Sequence, residues 1–331
     1  MERPLVSEQS GRHLFVRHPS NPILTADDVP YPSNTAFNPG AARVGDDTVL
    51  LVRVEDLRGI SSLVVARSAD GVTDWRVEET PLLAPDPGHP EEVWGCEDPR
   101  LVYLAEREEW AITYTAYSRR GPLVSLAVTK DFRTVRRLGP LMPPDDKDAA
   151  LFPRRFDGRW IMIHRPSPLQ GLAHMWISYS PDLRHWGDHE VLLEAREGAW
   201  WDANKIGLGP PPLATELGWL VMYHGAHTTA SGPIYRVGLA LLDLQQPQVV
   251  LRRSDEWLMG PITNYESVGD VDKVIFPNGW VLDEAADRLS LYYGAGDSVV
   301  GLAEARFSDL MEYMSRAPLF QHRRVSDDGH G

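Results

Sequence analysis

One pattern of short strands recurs five times along this chain of 331 residues and limits its fold more than any other feature. Each copy has a lead-in strand, a polar turn, a strand of the LLVRVED type and a strand with small and polar residues. The copies occupy approximately residues 36–80, 97–140, 147–195, 204–255 and 270–310. Repeats of about 40–60 residues with many short strands are typical of β-propellers. We therefore predict an all-β, five-bladed β-propeller, a single domain over residues 1–331 with its site at the central channel.

Two local patterns complete the prediction of secondary structure. The segments DGVTDW, DFRT and DLRHW resemble one outer turn that returns in successive repeats. Helical periodicity is almost absent, with one clear exception near the end of the chain, FSDLMEYMSRA. We predict a short helix in this segment, with Ser308 as its N-cap.

The chain is acidic, with a formal net charge of −14 at pH 7. Phosphate backbones repel such a surface, which argues against a nucleic-acid partner. A small anionic ligand would need a local cationic pocket that opposes the overall field. A cluster of basic residues therefore carries more weight in this chain than it would in a basic protein.

The cysteine content and the N-terminal sequence indicate the compartment. Cys96 is the only cysteine, so no disulfide framework exists, which suits a reducing cytoplasm. The segment MERPLVSEQSGRHLFVRHPSNP lacks the uncharged apolar stretch of a signal peptide. No apolar run approaches the roughly 18 residues of a membrane helix. We predict a cytoplasmic protein without a membrane partner, for which a homo-oligomer is possible.

Familiar metal and nucleotide motifs are missing from the sequence. There is no HExxH motif and no cysteine pair, and the histidines lack the spacing of metal ligands. A GxSxG elbow, a P-loop and a dinucleotide GxGxxG are also absent. We predict that the protein uses no metal and no cofactor.

Charged and polar side chains gather at the start of every repeat. They are Asn38, Arg53, Glu55 and Asp56; Glu97, Asp98 and Arg100; Lys147, Asp148, His164 and Arg165; Asp202, Lys205, Tyr223 and His224; and Glu266, Asp270, Lys273 and Asp297. The inner strands of a propeller point at one channel, so we expect these residues to converge. A basic subset comes from neighbouring repeats: Lys147, Arg165, Lys205 and His224. Basic clusters of this kind bind phosphate.

Each of these residues also has a structural interpretation when it is taken alone. Asp98 precedes Pro99, an arrangement that is frequent in turns. Arg165 could pair with a carboxylate at the edge of the core, Lys205 could be a solvated turn residue, and His224 could be a buried structural histidine. The functional interpretation depends on their equivalent positions in the repeats.

Several longer motifs together resemble one known family. They are FNPGA, LVRVED, WGCEDPR, KDAALFP with HRP, KIGLGPPP, GWLVMYHG, YESVGDV and YYGAGDSVVGLA. The chain closely resembles glycoside hydrolase family 130, the β-mannoside phosphorylases and their relatives. The resemblance runs from NPILTADDVPYPSNTAFNPGA to VVGLAEARF and so covers nearly the whole chain. It implies a five-bladed β-propeller, in agreement with the number of repeats.

The resemblance also implies roles for residues on the sugar side. Asp98, in EDPR, matches the catalytic acid, which in this family relays its proton through the 3-hydroxyl of the mannose to the glycosidic oxygen. The positions that hold the mannosyl ring match Asn38, Arg53 and Asp297. To this predicted substrate site we add three polar residues from the starts of the repeats, Glu55, Asp56 and Asp202.

On the phosphate side the resemblance implies a set of four basic residues. These are Lys147, Arg165, Lys205 and His224, with Lys147 at a position where some members carry arginine. Hydrolytic members of the family lack this set, so its presence favours phosphorolysis. The implied enzyme is an inverting, glycosyltransferase-type phosphorylase that cleaves a β-1,2- or β-1,4-linked mannoside with inorganic phosphate as co-substrate. Its products are α-D-mannose 1-phosphate and the released sugar.

Two other functions stay open at this point. A β-mannosidase on the same fold would need a second carboxylate to activate water, and Glu55, Glu97 or Glu266 could supply it. A non-catalytic, sugar-binding propeller is the other alternative, because fold alone does not fix function.

The sequence also leaves two details of the site undetermined. The leaving sugar could be mannose, glucose or N-acetylglucosamine, and PSPLQGLAH, HTTASGPIY and PDPGHPEEVW are candidate loops for its side of the site. Burial beside Glu97 would raise the pKa of Asp98, whereas Arg100 would lower it.

Overall fold

The computed structural model describes residues 13–168, 170–230 and 232–320 of the chain. This part of the protein contains 21 β-strands and two α-helices, so the all-β prediction is confirmed. The strands follow one another as antiparallel meanders, each built mostly from apolar and β-branched segments that end at Gly, Asp or Pro.

The first strand and the first three meanders span the N-terminal half. An isolated strand and the first meander are β1 (Val16–Arg17), β2 (Thr35–Val44), β3 (Asp47–Glu55), β4 (Ser61–Ser68) and β5 (Arg76–Val77). The second meander is β6 (Gly95–Leu104), β7 (Glu109–Ser118), β8 (Gly121–Thr129) and β9 (Arg136–Pro140). The third meander is β10 (Asp146–Leu151), β11 (Trp160–Pro166), β12 (Met175–Ser180) and β13 (Gly187–Leu193).

The last two meanders and both α-helices follow. The fourth meander is β14 (Lys205–Leu208), β15 (Leu213–Thr215), β16 (Gly218–Thr229), β17 (Gly232–Leu242) and β18 (Val250–Arg253). The fifth meander is β19 (Ile275–Asp283), β20 (Arg288–Ala295) and β21 (Val299–Arg306). The helices are α1 (Asn264–Ser267) and α2 (Phe307–Arg316).

Two long-range pairings connect these meanders. The fifth meander gains a fourth strand from the N-terminal part of the chain, because β1 pairs with β21 and places Val16 opposite Glu304. The first and second meanders are joined by a single parallel pair, Ser61 and Gly95. Within the described ranges no sheet closes on itself, and the number of blades stays a prediction.

Buried apolar side chains fill the spaces between neighbouring meanders as five clusters in the described residues. Four of them lie between meanders that are consecutive in the chain. The remaining cluster combines Leu50 and Val64 of the first meander with Tyr292 and Leu302 of the fifth. The fifth meander therefore packs against both the fourth and the first.

The outer turn predicted from the three similar segments is confirmed. Asp70 accepts hydrogen bonds from the backbone N–H groups two and three residues later, both at 2.8 Å. Asp131 and Asp182 make the same pair of bonds at 2.9 Å. Asp243 makes the same arrangement in the fourth meander. Its segment is not one of the three similar segments from which the turn was predicted. An aspartate is suited to this turn because its carboxylate can accept two nearby N–H groups.

The helix predicted near the end of the chain is present as α2, but the prediction that Ser308 caps it was wrong. The N-cap residue is Arg306, and Ser308 lies inside the first turn. Asp287, in the turn between β19 and β20, accepts a hydrogen bond from the Ser308 N–H at 2.8 Å. A carboxylate from another part of the chain thus binds the free N–H groups at the helix start, and spacing along the helix could not reveal it.

The first strands of four meanders each contain a β-bulge, at a corresponding position of the repeat. The bulges interrupt the pairing of β2, β6, β10 and β19. In three of them the bulged residue is left-handed, with φ of 45° at Asn38, 49° at Asp98 and 54° at Asp148. Asn and Asp tolerate this region better than other residues with a Cβ. Each bulge changes the direction in which its polar side chain points, near the start of the repeat.

The first strands of different meanders approach one another closely at glycine residues. A Cβ on Gly40 would lie 2.8 Å from the carbonyl oxygen of Pro99 on β6. A Cβ on Gly279 would clash with the backbone nitrogen of Ala41 on β2. These glycines let the backbones of different meanders come into contact.

None of the helices in the part of the chain that the structure covers combines the length and hydrophobicity that a membrane crossing requires.

We predict that Gly279→Ala destabilises the protein, because the added methyl group meets backbone atoms of β2 that cannot rotate away. The expected loss is about 1–3 kcal/mol, as for other overpacked sites. Gly187→Ala is the matched control, since nothing lies within 4 Å of its Cβ position. Chemical denaturation of both variants and the wild type measures the effect, and equal stabilities of the two variants would contradict it.

Candidate active site

Asp98 sits at the bulge of β6 and is almost completely buried. Its Oδ1 atom accepts a hydrogen bond from Nδ2 of Asn38 at 2.9 Å and another from Nη1 of Arg53 at 3.1 Å. Arg53 also forms an ion pair with Glu97 at 3.1 Å. The structure therefore brings together the predicted acid and two of the residues predicted to hold the sugar.

The surroundings of Asp98 favour its ionised form. Burial alone would raise the pKa of its carboxyl group. The positive charges of Arg53 and Lys147, together with the hydrogen bond from Asn38, outweigh burial and lower the pKa. Of the two opposing effects that the sequence left open, the cationic one dominates.

The pKa values of two neighbouring carboxyl groups shift in the opposite direction and are raised. Burial and repulsion from Asp98 raise the pKa of Asp297 to about 6, although Arg53 opposes the shift. Burial also raises the pKa of Glu97, against the effect of Arg53. Asp297 lies in the turn between β20 and β21, so a residue of the fifth meander shares the electrostatic environment of Asp98.

A second buried carboxylate, Asp148, lies at the centre of the basic residues. It forms ion pairs with Arg165 at 2.7 Å and with Arg100 at 3.4 Å, and its Oδ2 lies 3.4 Å from Nε2 of His224. Burial alone would raise the pKa of Asp148, but the positive charges of Arg165 and Arg100 hold it well below its usual range. Asp148 therefore keeps its negative charge and gathers side chains from three other strands.

Arg100 links this cluster to Asp98. Its guanidinium donates hydrogen bonds to the carbonyl oxygens of Asp98 at 3.0 Å, Leu208 at 2.8 Å and Gly209 at 2.9 Å. The side chain is fully buried and lies over the ring of Phe276. Arg100 thus fixes the relative positions of the second, third and fourth meanders at the site.

His224 is neutral at physiological pH. Burial is the main cause, and it lowers the pKa of the imidazole to about 3 despite the attraction of Asp148. The ring packs against Phe276 with a centroid distance of 4.5 Å. Its Nδ1 atom is buried and has no hydrogen-bond partner among the described residues.

Two lysines extend the basic cluster. Lys147 pairs across the β10–β11 ladder with Arg165. The Lys205 ammonium lies 4.8 Å from the centre of the Tyr235 ring, and burial together with repulsion from Arg165 lowers its pKa. Neither lysine has a carboxylate within 4.0 Å in the described ranges, whereas Arg165 is paired with Asp148. The four predicted phosphate residues are therefore close together, and the two lysines keep their charge available.

Two predicted substrate residues are engaged elsewhere. The carboxylate of Asp56 closes its own turn through Arg58, with an ion pair of 2.7 Å. Asp202 is buried in a different cluster, where it contacts Arg253 at 2.8 Å and the hydroxyl of Tyr223 at 3.0 Å. These contacts give both residues a structural role, and no contact places them beside Asp98.

The candidate bases of a hydrolase also differ in their surroundings. Glu55 ends β3 and accepts a hydrogen bond from Asn34 at 3.2 Å. Glu266 is fully buried, forms an ion pair with Arg17 at 2.6 Å and accepts a hydrogen bond from Tyr293 at 2.9 Å. Glu266 thus anchors β1 to the fifth meander.

His164, another residue from the polar starts of the repeats, is structural. Its Nδ1 lies 2.6 Å from the carboxylate of Asp146, and its Nε2 lies 2.7 Å from the hydroxyl of Ser178. Both ring nitrogens of this buried histidine are therefore occupied.

Sequence reasoning placed Asp148 among the converging residues but gave it no role, and it did not single out Tyr235 or Phe276. Asp148 had a usable signal, because KDAAL aligns with EDPRL and places it at the repeat position of Asp98. The two aromatic residues had none, since they reach the cluster only through packing between the fourth and fifth meanders.

No group of three or more His, Cys, Asp or Glu residues in the described part of the protein has the arrangement to hold a metal ion.

Comparison with known proteins places these residues in a family context. A family profile described as beta-1,4-mannooligosaccharide phosphorylase matches residues 11–316. The beta-1,4-mannooligosaccharide phosphorylase of Ruminococcus albus is 32% identical over 312 residues, which cover 92% of this chain and 91% of the relative.

Solved structures give the same result. The beta-1,2-mannobiose phosphorylase of Listeria innocua, in complex with beta-1,2-mannobiose, superposes with a TM-score of 0.82 at 29% identity and covers 91% of this chain and 99% of that chain. A second structure has a TM-score of 0.78 at 27% identity and covers 88% and 93% of the two chains. This structure is described with the glycoside hydrolases of the family that target beta-1,2 mannosidic linkages in Candida mannan.

We predict that His224 binds no proton between pH 8 and pH 4.5. Its folded-state pKa of about 3 lies below the ordinary 6.5, so in this interval the unfolded chain takes up a proton that the folded chain refuses. The stability that His224 contributes is therefore lost as the pH falls from 6.5 towards 3, by an amount on the order of a few kcal/mol.

Histidine NMR signals followed through a pH titration test this prediction, with His224→Gln to assign the resonance. The same variant should lose less stability than the wild type on acidification, because glutamine does not titrate. A His224 resonance that titrates near 6.5 would show that the imidazole is not excluded from water as the structure implies.

Proposed function

The chain belongs to glycoside hydrolase family 130, and on this basis we propose that it is an inverting β-mannoside phosphorylase. The reaction cleaves a β-1,2- or β-1,4-linked mannoside with inorganic phosphate and gives α-D-mannose 1-phosphate and the released sugar. Phosphate is a co-substrate in this glycosyltransferase-type reaction, and no other cofactor takes part. Both linkages have support, because the relatives named above act on beta-1,4-mannooligosaccharides and beta-1,2-mannobiose.

The observation that carries this proposal is the basic cluster close to Asp98. In a chain with a net charge of −14, basic side chains from three meanders surround Asp148, and the lysines near it lack carboxylate partners in the described ranges. Water needs a base before it can attack a sugar, whereas phosphate is already anionic and needs mainly a position. A cationic site next to one acid therefore suits phosphorolysis.

The acid in the proposed mechanism is Asp98. Both of its side-chain hydrogen bonds reach Oδ1, which leaves Oδ2 for the substrate. The proton passes from Asp98 to the 3-hydroxyl of the mannose, and the proton of that hydroxyl passes to the glycosidic oxygen. A phosphate oxygen attacks the anomeric carbon from the opposite face, the glycosidic bond breaks, and the released sugar keeps the proton.

Phosphate itself helps Asp98 to carry a proton. Arg53 and Lys147 lower the pKa of Asp98. A phosphate dianion beside Lys147 offsets part of this positive charge and raises the pKa of Asp98. Protonation of the acid and binding of the nucleophile are thus coupled.

The sugar site in this proposal consists of residues around Asp98. Asn38, Arg53 and Asp297 hold the mannosyl ring, and Oδ1 of Asn38 is buried without a hydrogen-bond partner among the described residues. Glu55 is the remaining candidate at the edge of this site. The contacts of Asp56 and Asp202 favour a structural role for both, so they are the weakest members of the predicted set.

Hydrolysis is the alternative that has an observation in its favour, since a relative with a TM-score of 0.78 is described among glycoside hydrolases. Glu97 would be the nearest second carboxylate, but it is held in an ion pair with Arg53. Product analysis with and without phosphate separates the two reactions. Mannose 1-phosphate that forms only with phosphate supports phosphorolysis, and free mannose at an equal rate without phosphate refutes it.

We further propose that the five meanders are the blades of one five-bladed propeller domain. Three observations support this architecture: the apolar cluster between the first and fifth meanders, the glycine contacts between inner strands, and the pairing of β1 with β21. A strand from one end of the chain that completes the last blade is a way to join the ends of a propeller. The cytoplasmic location stays a prediction.

We predict that Asp98→Asn lowers kcat/KM for phosphorolysis by about 10²–10⁴-fold, as expected for loss of a general acid. Asparagine keeps the shape of the side chain and Arg53 keeps its ion pair with Glu97, so the fold should be retained. Release of mannose 1-phosphate from mannobiose is the measurement, and circular dichroism checks the fold. Activity within a few fold of the wild type would remove Asp98 from the proposed mechanism.

We predict that Lys205→Gln raises the KM for phosphate by about tenfold or more, the usual effect of losing a hydrogen bond to a charged group. The KM for the mannoside should stay nearly constant. Lys205 is preferable to Arg165 for this test, because Arg165 supports Asp148 and its loss would disturb the core. Lys130→Gln, at an exposed lysine, is the control for a general change of charge.

A further inference from the structure

A groove of about 530 Å³ is lined by residues that do not belong to the candidate active site. Its walls are the connection between β13 and β14, the β16–β17 hairpin and the segment that follows β18. The volume falls within the roughly 300–1,000 Å³ that is typical of small-molecule sites. The groove is open to solvent and large enough for a ligand.

Tryptophan side chains dominate one part of the groove. Trp200 is 43% exposed, whereas its neighbour Trp201 is buried and donates a hydrogen bond to the carbonyl oxygen of Asp255 at 2.8 Å. The guanidinium of Arg196 lies 4.3 Å from the centre of the Trp200 ring and holds it in place. The structure thus presents a large aromatic side chain to solvent on a fixed support.

A second tryptophan is held in the same way across the groove. Arg236 lies 5.2 Å from the centre of the Trp257 ring. Of the tryptophans that line the groove, Trp200 and Trp257 are therefore each packed against a guanidinium. Rigid aromatic side chains that contribute large contact areas are typical of binding sites.

The charges in the groove do not favour an anion. Arg196 is neutralised by an ion pair with Asp255 at 2.8 Å. Glu197 and Glu256 add carboxylate groups to the lining, which would repel phosphate and accept hydrogen bonds from hydroxyl groups. Aromatic faces combined with hydrogen-bond acceptors suit a neutral ligand that is rich in hydroxyl groups.

His227 supplies an independent indication of a polar ligand. This residue lines the groove, and its Nδ1 atom is buried without a hydrogen-bond partner among the residues that the structure describes. Buried polar atoms are nearly always paired in folded proteins, with protein, water or a ligand. This imidazole nitrogen can form a hydrogen bond with a polar ligand in the groove.

The groove adjoins the candidate active site but is distinct from it. His227 follows His224 on β16 by three residues, about 10 Å along a strand, and successive side chains alternate between the two faces. The groove therefore lies on the opposite face of the hairpin from His224. The connection that contains Trp200 ends at Lys205, the first residue of β14. This connection and β16 each contain residues of both the groove and the basic cluster.

We propose that this groove is a second carbohydrate-binding site, which takes a neutral oligosaccharide chain through Trp200, Trp257 and His227. The identity of the sugar as a mannooligosaccharide rests on the proposed function, whereas the existence of the site does not. A longer substrate would be retained here while one of its ends is in the active site. Disaccharides would gain nothing from it.

Binding is tested in the Asp98→Asn background, in which turnover does not remove the ligand. The probes are β-1,4-mannotetraose and β-1,2-mannotetraose, each titrated by calorimetry and by NMR of the tryptophan indole N–H signals. Trp200→Ala should weaken the binding of at least one tetraose by about tenfold or more. The Trp200 indole signal, assigned by its loss in this variant, should shift in the parent when that tetraose binds. Tyr103→Ala is the control, because Tyr103 is 44% exposed and belongs to β6, away from the groove.

Activity assays in the Asp98-containing protein separate the two proposals. Trp200→Ala should raise the KM for the tetraose and leave kcat/KM for mannobiose unchanged. Tetraose binding that depends on Trp200 in a protein without phosphorolysis would overturn the proposed function and keep the groove.

Two outcomes would overturn the groove proposal. One is equal binding of both tetraoses by Trp200→Ala and its parent. The other is a change of oligomeric state in Trp200→Ala, measured by sedimentation, together with no tetraose contact to the indole. This second result would assign the groove to an interface between copies of the chain.

Discussion

The buried carboxylate of Asp148 is the constraint on which the arrangement of the site depends. It holds Arg165 at 2.7 Å, Arg100 at 3.4 Å and the His224 ring at 3.4 Å, although these side chains come from three different strands. Without this negative charge the two arginines would repel each other in a medium that screens charges weakly. A buried ion cluster of this kind contributes little net stability. Its contribution here is to fix which strands meet and how their cations are spaced.

The backbone places Asp148 by the same means that it uses for the acid. Asn38, Asp98 and Asp148 are each bulged residues with φ near 50°, at corresponding positions of the first three meanders. One repeated backbone feature thus presents an amide, an acid and an ion-pairing carboxylate to one region. The differences in function come from the side chain alone. The asparagine orients the acid, the second residue is the acid in the proposed mechanism, and the third organises the cations.

The parts of the structure that could be predicted from sequence are those that depend on local patterns. The repeats, the outer-turn aspartates and the position of α2 follow from residues that are close together in the chain. The errors arise where a distant residue completes a local feature. Asp287 binds the start of α2 in place of Ser308, and β1 supplies a strand to the last meander. Asp202 stands at the start of its repeat like the site residues, but it contacts Arg253 at 2.8 Å, and its place in the substrate site stays a prediction. Such pairings depend on the assembled fold.

The charge of the whole protein explains why the site combines arginines, lysines and a neutral histidine. A net charge of −14 opposes the entry of phosphate, so a local excess of positive charge is needed to bind it. Burial, together with repulsion from Arg165, Lys205 and Arg100, outweighs the attraction of Asp148 and keeps His224 uncharged. A neutral imidazole can still donate one hydrogen bond to an anion. The unpaired lysines then provide the charge that phosphate neutralises, and this neutralisation raises the pKa of Asp98. In the proposed mechanism the acid therefore becomes protonated when the nucleophile arrives, which disfavours cleavage by water in its absence.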